Sequence, residues 1–336
     1  MSSTGSPPVS KPQQPSPSLL SIFWGMTKTF LQVVPALLIL SLLVHFPYHT
    51  DRVAPPVISR DAGDFYTKIY SDKVYSDKTS DVDEPTADNA ADYVKIAQEA
   101  IEQFQIVPRI ASFVKEFGLQ RKRILDVGAG TGYLQDLVDD YVGLDISASA
   151  RSYFHKPFVQ ASATEMPFRD GEFDALWSIW VLEHVPKPEQ ALVEMRRVVK
   201  DGGLLYLAPA WNCNPWAAQG YPVRPFSDLN LKGKLIKATL PVVASPSFRL
   251  AYVVPTRFLR GQYARISHTP TRLHYTLLEP NYSHYWMADS DALNDLDFYE
   301  MMLWFTSRGD ECVNCGSNPL LQSDELVIRV HKSSVL

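Results

Sequence analysis

Cysteine is scarce in this chain: 336 residues include three, Cys213, Cys312 and Cys315. Three are too few for the multi-bridge framework that staples small secreted domains. Cys312 and Cys315 form a lone C-x-x-C with no second pair, so a structural zinc site lacks half its ligands. Two readings stay open for the pair, plain thiols or one disulfide in an oxidising compartment. Extremes of composition are missing too. With 46% hydrophobic and 21% charged residues and a formal charge of −5, the chain is ordinary globular material. Its length suits one large α/β domain with additions, or two small domains.

The N-terminal region lacks what a folded domain needs. Residues 1–18 hold five prolines among Ser, Gln and Lys and read as a disordered tail. Residues 19–48 read as a membrane anchor, because "FLQVVPALLILSLLVHF" at 30–46 has no formal charge. With its neighbours over 29–48 it approaches the ~20 apolar residues that span a bilayer as a helix. The preceding "LLSIFWGM" at 19–26 suits the interface, with Trp24 at headgroup depth. A cleaved signal would need a short basic start and a small-x-small cleavage site, and neither is present. The basic residues are balanced, Lys11 and Lys28 before the run and Arg52 and Arg60 after it, so the side of the bilayer is undetermined. The expectation is a single-pass membrane protein of the endomembrane system, with lipid as a partner. Asn281-Tyr-Ser283 is a glycosylation sequon that matters only for a lumenal domain. Residues 49–91, with "YSDKVYSDK" and the acidic "DVDEPTADNAAD", read as a disordered linker.

From residue 92 the pattern becomes that of a folded domain, 92–336. "YVKIAQEAIEQF" and "IVPRIASFVKEFGL" have helical spacing, with Gly118 as a stop. Then come the strand "ILDV" (124–127), the loop "GAGTG" (128–132), a short helix expected near Tyr133, and a strand ending in Asp145. Strand, glycine loop, helix, strand and acid is a nucleotide-cofactor layout. A dinucleotide fingerprint would be G-x-G-x-x-G, with pyrophosphate on the helix N-terminus. Here Tyr133 stands where its third glycine would be. S-adenosylmethionine has no phosphate; it needs close backbone approach to a zwitterionic tail and a carboxylate for its ribose. Gly128, Gly130 and Gly132 with Asp145 fit that ligand better. A strand "FDALWSI", a loop "WVLEHV", a helix at 188–200, "DGG" and a strand "LLYLAPA" complete the segment to residue 210.

These motifs resemble the class I S-adenosylmethionine-dependent methyltransferases, in particular the type-11 group. The resemblance lies in "LDVGAGTG", in "ATEMPFRDGEFD", in "LEHV" and in "RVVKDGG". It implies a Rossmann-like α/β fold with a seven-stranded, mostly parallel sheet, and a cofactor-binding core over 122–210. It implies S-adenosyl-L-methionine as methyl donor and a methyltransferase activity. Asp126 and the backbone of Gly128, Ala129, Gly130 and Gly132 would face the methionine tail. Asp145 would hold the ribose and Ile146 the adenine. Ser162 stands where relatives often have an aspartate for the adenine amino group, which puts that contact in doubt, although the Ala163 backbone could serve. Ser178 and Ile179 would close the pocket below the sulfonium. Similar quinone-pathway enzymes carry E-x-x-E-H; this chain has Trp180 in place of the first carboxylate, and metal independence is expected. His184 is the candidate catalytic base, against a structural role in ordering its loop; Asp228 and His268 are distant alternatives.

A helix is expected over 289–309, capped by Asp289 or Ser290 and stopped by Gly309, then strands "ECVN" and "ELVIRVHK". Residues 211–288 are then a lid insertion between the fifth strand and the last helix, placed to shape the acceptor pocket. It carries nine Lys and Arg against Asp228 and Glu279, a surplus of seven, with interleaved Trp, Tyr and Phe residues from Trp211 to Trp286. A solvated basic face, an anionic acceptor and contact with anionic lipid all fit that composition. Nucleic acid is disfavoured beside a membrane anchor. Stretches such as "PAWNCNPWAAQGYPVRPFSDL" resemble enzymes of bacterial surface-polysaccharide machinery, more loosely. The expectation is therefore a membrane-anchored methyltransferase acting on oxygen of a glycan or glycoconjugate. A lipid or quinone methyltransferase and a non-catalytic cofactor-binding scaffold are the alternatives, and the oligomeric state is open.

Overall fold

A computed structural model describes residues 27, 32, 33, 35, 36, 39, 56–70, 97–267 and 269–332. The expected disordered tail, most of the expected anchor, residues 49–55 and 71–91 of the expected linker, and His268 lie outside the described residues. Among the described residues no helix is long and apolar enough to cross a membrane. The chain divides into two units, residues 1–47 and 48–336, and every feature that follows belongs to the second.

The ordered elements are α1 (Pro56–Ile69), α2 (Ile106–Glu116), β1 (Arg123–Val127), β2 (Asp140–Asp145), β3 (Phe158–Gln160), β4 (Phe173–Ile179), α3 (Pro188–Val198) and β5 (Val199–Ala208). They continue with α4 (Leu231–Val243), α5 (Pro246–Ser267), β6 (Thr276–Leu277), β7 (Asn294–Asp295), α6 (Phe298–Thr306), β8 (Glu311–Cys312) and β9 (Leu326–Arg329). Seven strands form one sheet in the order β3-β2-β1-β4-β5-β9-β8. β1 to β5 run parallel, and β9 pairs antiparallel with both β5 and β8. This is the Rossmann-like, mostly parallel seven-stranded sheet that the motifs imply.

Its strands are near-continuous apolar runs because both faces are covered. Alternation sorts the two faces. Leu125 and Val127 pack with Ala191, Leu192 and Met195 of α3 and with Trp304 and Phe305 of α6. Ile124 packs with Ile110 and Phe113 of α2. The chain turns from β1 outward to β2 on one side and to β4 on the other, and ligands bind outside the carboxyl ends of strands at such a reversal.

Three local expectations are corrected. No α-helix follows the glycine loop. The connection from Val127 to Asp140 holds only the 3-10 turn Gln135–Leu137, and Val138 is already extended. That short connection has no room for a helix once Leu134 and Val138 are buried. The last helix starts at Phe298, not near residue 289, because the Asp297 carboxylate accepts from the Tyr299 and Glu300 amides and so caps it there. Residues 289–296 hold β7 instead, paired antiparallel to β6. The expected linker contains α1, whose Ala62, Tyr66 and Ile69 are buried. Cys312 and Cys315 are joined as a disulfide, which settles the alternative left open above. The sequon asparagine is engaged: Asn281 Nδ2 donates to the Ala218 carbonyl at 2.9 Å and its Oδ1 accepts from the Ser283 and His284 amides.

Candidate functional site

A cavity of ≈ 220 Å³ opens where β1, β2 and β4 end. Gly128 supplies bare backbone to it, Leu144, Asp145 and Ile146 one wall, and Ala161 to Thr164 another. Trp180, Val181 and His184 come from the loop after β4, and Ala62, Tyr66 and Tyr70 from α1 and the residue after it. Why glycine stands at 128 is now explicit. Its φ is +76°, and an added Cβ would lie 2.1 Å from Val181 Cγ2. Only a residue without a side chain lets these two loops meet and still leaves the cleft open.

Asp145 is buried at the end of β2. Its Oδ2 accepts from the Gly130 amide at 2.9 Å and its Oδ1 from the Ser147 amide at 2.8 Å. Burial raises its pKa, and those backbone amides oppose the rise. The carboxylate therefore staples the glycine loop to the turn after β2, and it keeps lone pairs for hydroxyls in the cavity. Ile146 is exposed beside it, a flat apolar contact. Asp126 is buried under the loop, with Tyr141 Oη donating to its Oδ2 at 2.8 Å. Desolvation pushes it to about 7. It does not line the cavity, and neither do Ala129, Gly130 and Gly132.

Ser162 and Ala163 do line it, and Ser162 Oγ shares a hydrogen with Thr164 Oγ1 at 2.8 Å. Ser178 and Ile179 are buried in the sheet and are not part of the lining; the next two residues, Trp180 and Val181, line the cavity in their place. Trp180 has φ 54° and meets Phe104 edge to face. Its indole occupies the place of the missing carboxylate of E-x-x-E-H.

His184 sits at the cavity on a 3-10 turn, Leu182–His184. Its Nδ1 lies 3.4 Å from Asp291 Oδ2, and its Nε2 lies 3.8 Å from Glu183 Oε1. Tyr66 Oη donates to the same Asp291 Oδ2 at 2.6 Å. Burial pulls the imidazole down, but Asp291 and Glu183 outweigh it and hold His184 above its ordinary value. Asn294 fixes the loop from behind, its Nδ2 donating to the carbonyls of Leu182 and Val185. Asp228 is exposed in the insertion and does not line the cavity. Among the described residues no group of three His, Cys, Asp or Glu could hold a metal ion.

Glu183 gives a stability prediction. Its Oε1 accepts from the Ala210 amide at 3.0 Å, its Oε2 has no hydrogen-bond partner, and burial pushes its pKa to about 7. A carboxyl raised in the folded state stabilises below its unfolded pKa and loses that contribution as pH rises through 7. Glu183→Gln therefore melts with the parent at pH 4 and above it at pH 8, by on the order of 3 kcal/mol. Thermal unfolding at the two pH values checks this; equal shifts at both would remove the assignment.

Sequence reading missed Tyr66, Tyr70 and Asp291. The first two were legible in principle, since Ala62, Tyr66, Ile69 and Tyr70 recur at helical spacing in "DAGDFYTKIY". Asp291 stands 107 residues from His184, and no local pattern links them.

Comparison with known proteins agrees with this geometry over part of the chain. Residues 125–207 match the family model described as a methyltransferase domain. An uncharacterised methyltransferase of Mycobacterium tuberculosis is 38% identical over 98 residues, 26% of this chain and 39% of that protein. A ubiquinone/menaquinone biosynthesis C-methyltransferase of Hahella chejuensis is 35% identical over 132 residues, 34% of this chain and 53% of that protein. A demethylmenaquinone methyltransferase of Renibacterium salmoninarum is 38% identical over 96 residues, 26% of this chain and 40% of that protein. Among solved structures, a SAM-dependent methyltransferase of Aquifex aeolicus aligns with 29% of this chain and 61% of that one, at 23% identity and a TM-score of 0.26. The chain thus spans about 39% to 53% of the length of these curated relatives.

Proposed function

We propose that this chain, whose residues 125–207 are a class I S-adenosylmethionine-dependent methyltransferase domain, transfers the donor's methyl group to an acceptor hydroxyl at His184. The single observation that carries the reading is one cavity lined by both Asp145 and His184, the candidate cofactor acid and the candidate base. The missing helix after the glycine loop sharpens the choice of cofactor. A pyrophosphate is held by a helix N-terminus, and this loop leads into none. A nucleoside without phosphate asks only for the bare backbone at Gly128 and the Asp145 carboxylate, and both are there.

In that reading the bound cofactor supplies a methyl carbon already activated by its sulfonium. Asp145 takes the ribose hydroxyls, Ile146 and the 162–164 turn border the adenine, and the glycine-loop backbone leaves space for the amino-acid tail. Trp180 and Val181 floor the reacting end, and Tyr66 and Tyr70 cover it and exclude water. His184 removes the acceptor proton while Asp291 holds its Nδ1. Positioning contributes up to ~7–11 kcal/mol in such a displacement, and a placed base adds about 10²–10⁴-fold.

For the acceptor, a glycan or glycoconjugate hydroxyl is the first reading, supported by the insertion's resemblance to polysaccharide-pathway enzymes. A quinone ring is the second, supported by relatives named for ubiquinone and menaquinone methylation. The apolar run at 30–46 supports a membrane-anchored enzyme. One experiment addresses all three points. Membranes bearing the full chain are washed at alkaline pH and given methyl-labelled S-adenosylmethionine. Label in the glycan fraction of the washed pellet supports the first reading; label in the solvent extract selects the second. Activity released by the wash would refute the anchor.

A further inference from the structure

The insertion contains a helix with charged side chains buried and apolar ones exposed. On α5 two arginines face the protein. Arg257 is 5% exposed and binds Asp297 at 2.7 Å and the carbonyls of Leu320 and Gln322, while Arg260 binds Glu300 at 2.7 Å. The opposite face, at i, i+3, i+4, i+8, i+11 spacing, is apolar and open to solvent: Pro255, Phe258, Leu259, Tyr263 and Ile266. Leu259 is 67% and Ile266 75% exposed. The neighbouring α4 also exposes apolar residues, beside its exposed Lys232 and Lys234. It buries Gly233, Ile236 and Thr239 and exposes Leu231, Leu235, Ala238 and Pro241. A surface helix of a globular protein has the reverse polarity, and single exposed apolar residues need no explanation whereas aligned ones do.

Charge identifies the occupant. Residues 229–278 contain no Asp or Glu and eight Lys and Arg. Arg257 and Arg260 are spent on the protein's own acids, and Lys237 on the carbonyls of Tyr221, Pro222 and Arg224. Lys232, Lys234, Arg265 and Arg272 remain exposed and form no ion pair among the described residues. An apolar stripe flanked by unneutralised basic residues is the signature of a helix lying in the plane of a bilayer with anionic headgroups.

We propose that α4 and α5 are a membrane-docking surface for anionic lipid. The docking is separate from the cofactor cavity and stands whether or not the methyl acceptor is itself a lipid. It places the insertion against the bilayer surface.

The test uses the full chain carrying Leu259→Cys labelled with a polarity-sensitive dye. Background labelling is limited, because Cys213 is buried and Cys312 and Cys315 are joined. The control is the same dye at Val193→Cys, exposed on α3. Vesicles of phosphatidylcholine with phosphatidylserine shift the dye at residue 259 to the blue and leave the dye at 193 unchanged; phosphatidylcholine alone produces little shift. Lys232→Gln with Lys234→Gln lowers the docking equilibrium roughly 30-fold, at the usual contribution of a basic residue near an anionic surface. Three results overturn the proposal. One is no shift at 259 while the chain sediments with the vesicles, which means the N-terminal run alone holds it. Another is an equal shift on neutral lipid. The third is a shift without vesicles that grows with protein concentration, which assigns the stripe to a second copy of the chain.

Discussion

His184→Ala lowers turnover by about 10²–10⁴-fold and leaves the affinity for S-adenosylmethionine unchanged. The expectation follows from placement: the imidazole lines the cavity, and its Nδ1 lies 3.4 Å from Asp291 Oδ2. A histidine that only ordered its loop would give a different result. Its loss would lower the melting temperature and disturb cofactor binding together, because the Leu182–His184 turn also carries the wall of the cavity. The pH profile separates the two further. His184 acts as a base only when neutral, and the carboxylates around it hold its pKa above the ordinary histidine value despite burial. The parent enzyme therefore gains activity as pH rises through that raised value, and His184→Gln loses this limb. Asp291→Asn removes the largest of the three charges, Asp291, Glu183 and Asp289, that raise it. The acid limb then moves to lower pH, with a smaller loss of turnover than His184→Ala. A fully active His184→Ala enzyme would end the assignment of the base.

How much of this was legible beforehand depends on the kind of interaction. The glycine loop and Asp145 were readable because close backbone approach leaves a local trace: three glycines within five positions behind an apolar strand, and an acid at the end of the next. The sheet was readable because strands covered on both faces become continuous apolar runs. Ser178 and Ile179 were misplaced because chain position alone does not say where a strand stops facing the core, and both remain inside it. The helix expected after the loop failed for a related reason. Its residues suited a helix, but burial of Leu134 and Val138 in a short connection favoured a 3-10 turn. α1 was hidden by its composition. Tyr, Asp, Ser and Lys dominate residues 64–78 and read as solvated chain, yet Tyr66 and Ile69 are buried and the Tyr66 hydroxyl reaches Asp291. Long-range pairings such as His184 with Asp291, and the inverted polarity of α5, depend on tertiary partners and leave no local pattern.

Asp145→Ala weakens S-adenosylmethionine binding by about 10²–10⁴-fold. Hydrogen bonds to a charged group contribute roughly 1.5–3 kcal/mol each, and a ribose offers two hydroxyls to this carboxylate. Calorimetric titration measures the loss. Asp145 also staples the glycine loop through the Gly130 and Ser147 amides, so its removal acts in two ways, on the ligand directly and on the loop. Asp145→Asn divides them. Its amide oxygen still accepts from one backbone N–H, so much of the loop geometry survives while the charge is lost, and the expected weakening is about tenfold to a hundredfold. The fold tolerates both changes at neutral pH, because burial already disfavours the ionised carboxylate and its removal relieves that cost. A melting temperature near that of the parent with lost affinity in Asp145→Ala, and an intermediate affinity in Asp145→Asn, is the pattern that identifies a ribose-holding acid. Equal affinity in all three proteins would mean that the cavity binds its nucleoside without this carboxylate, and the pairing of Asp145 with His184 in one site would no longer describe an enzyme.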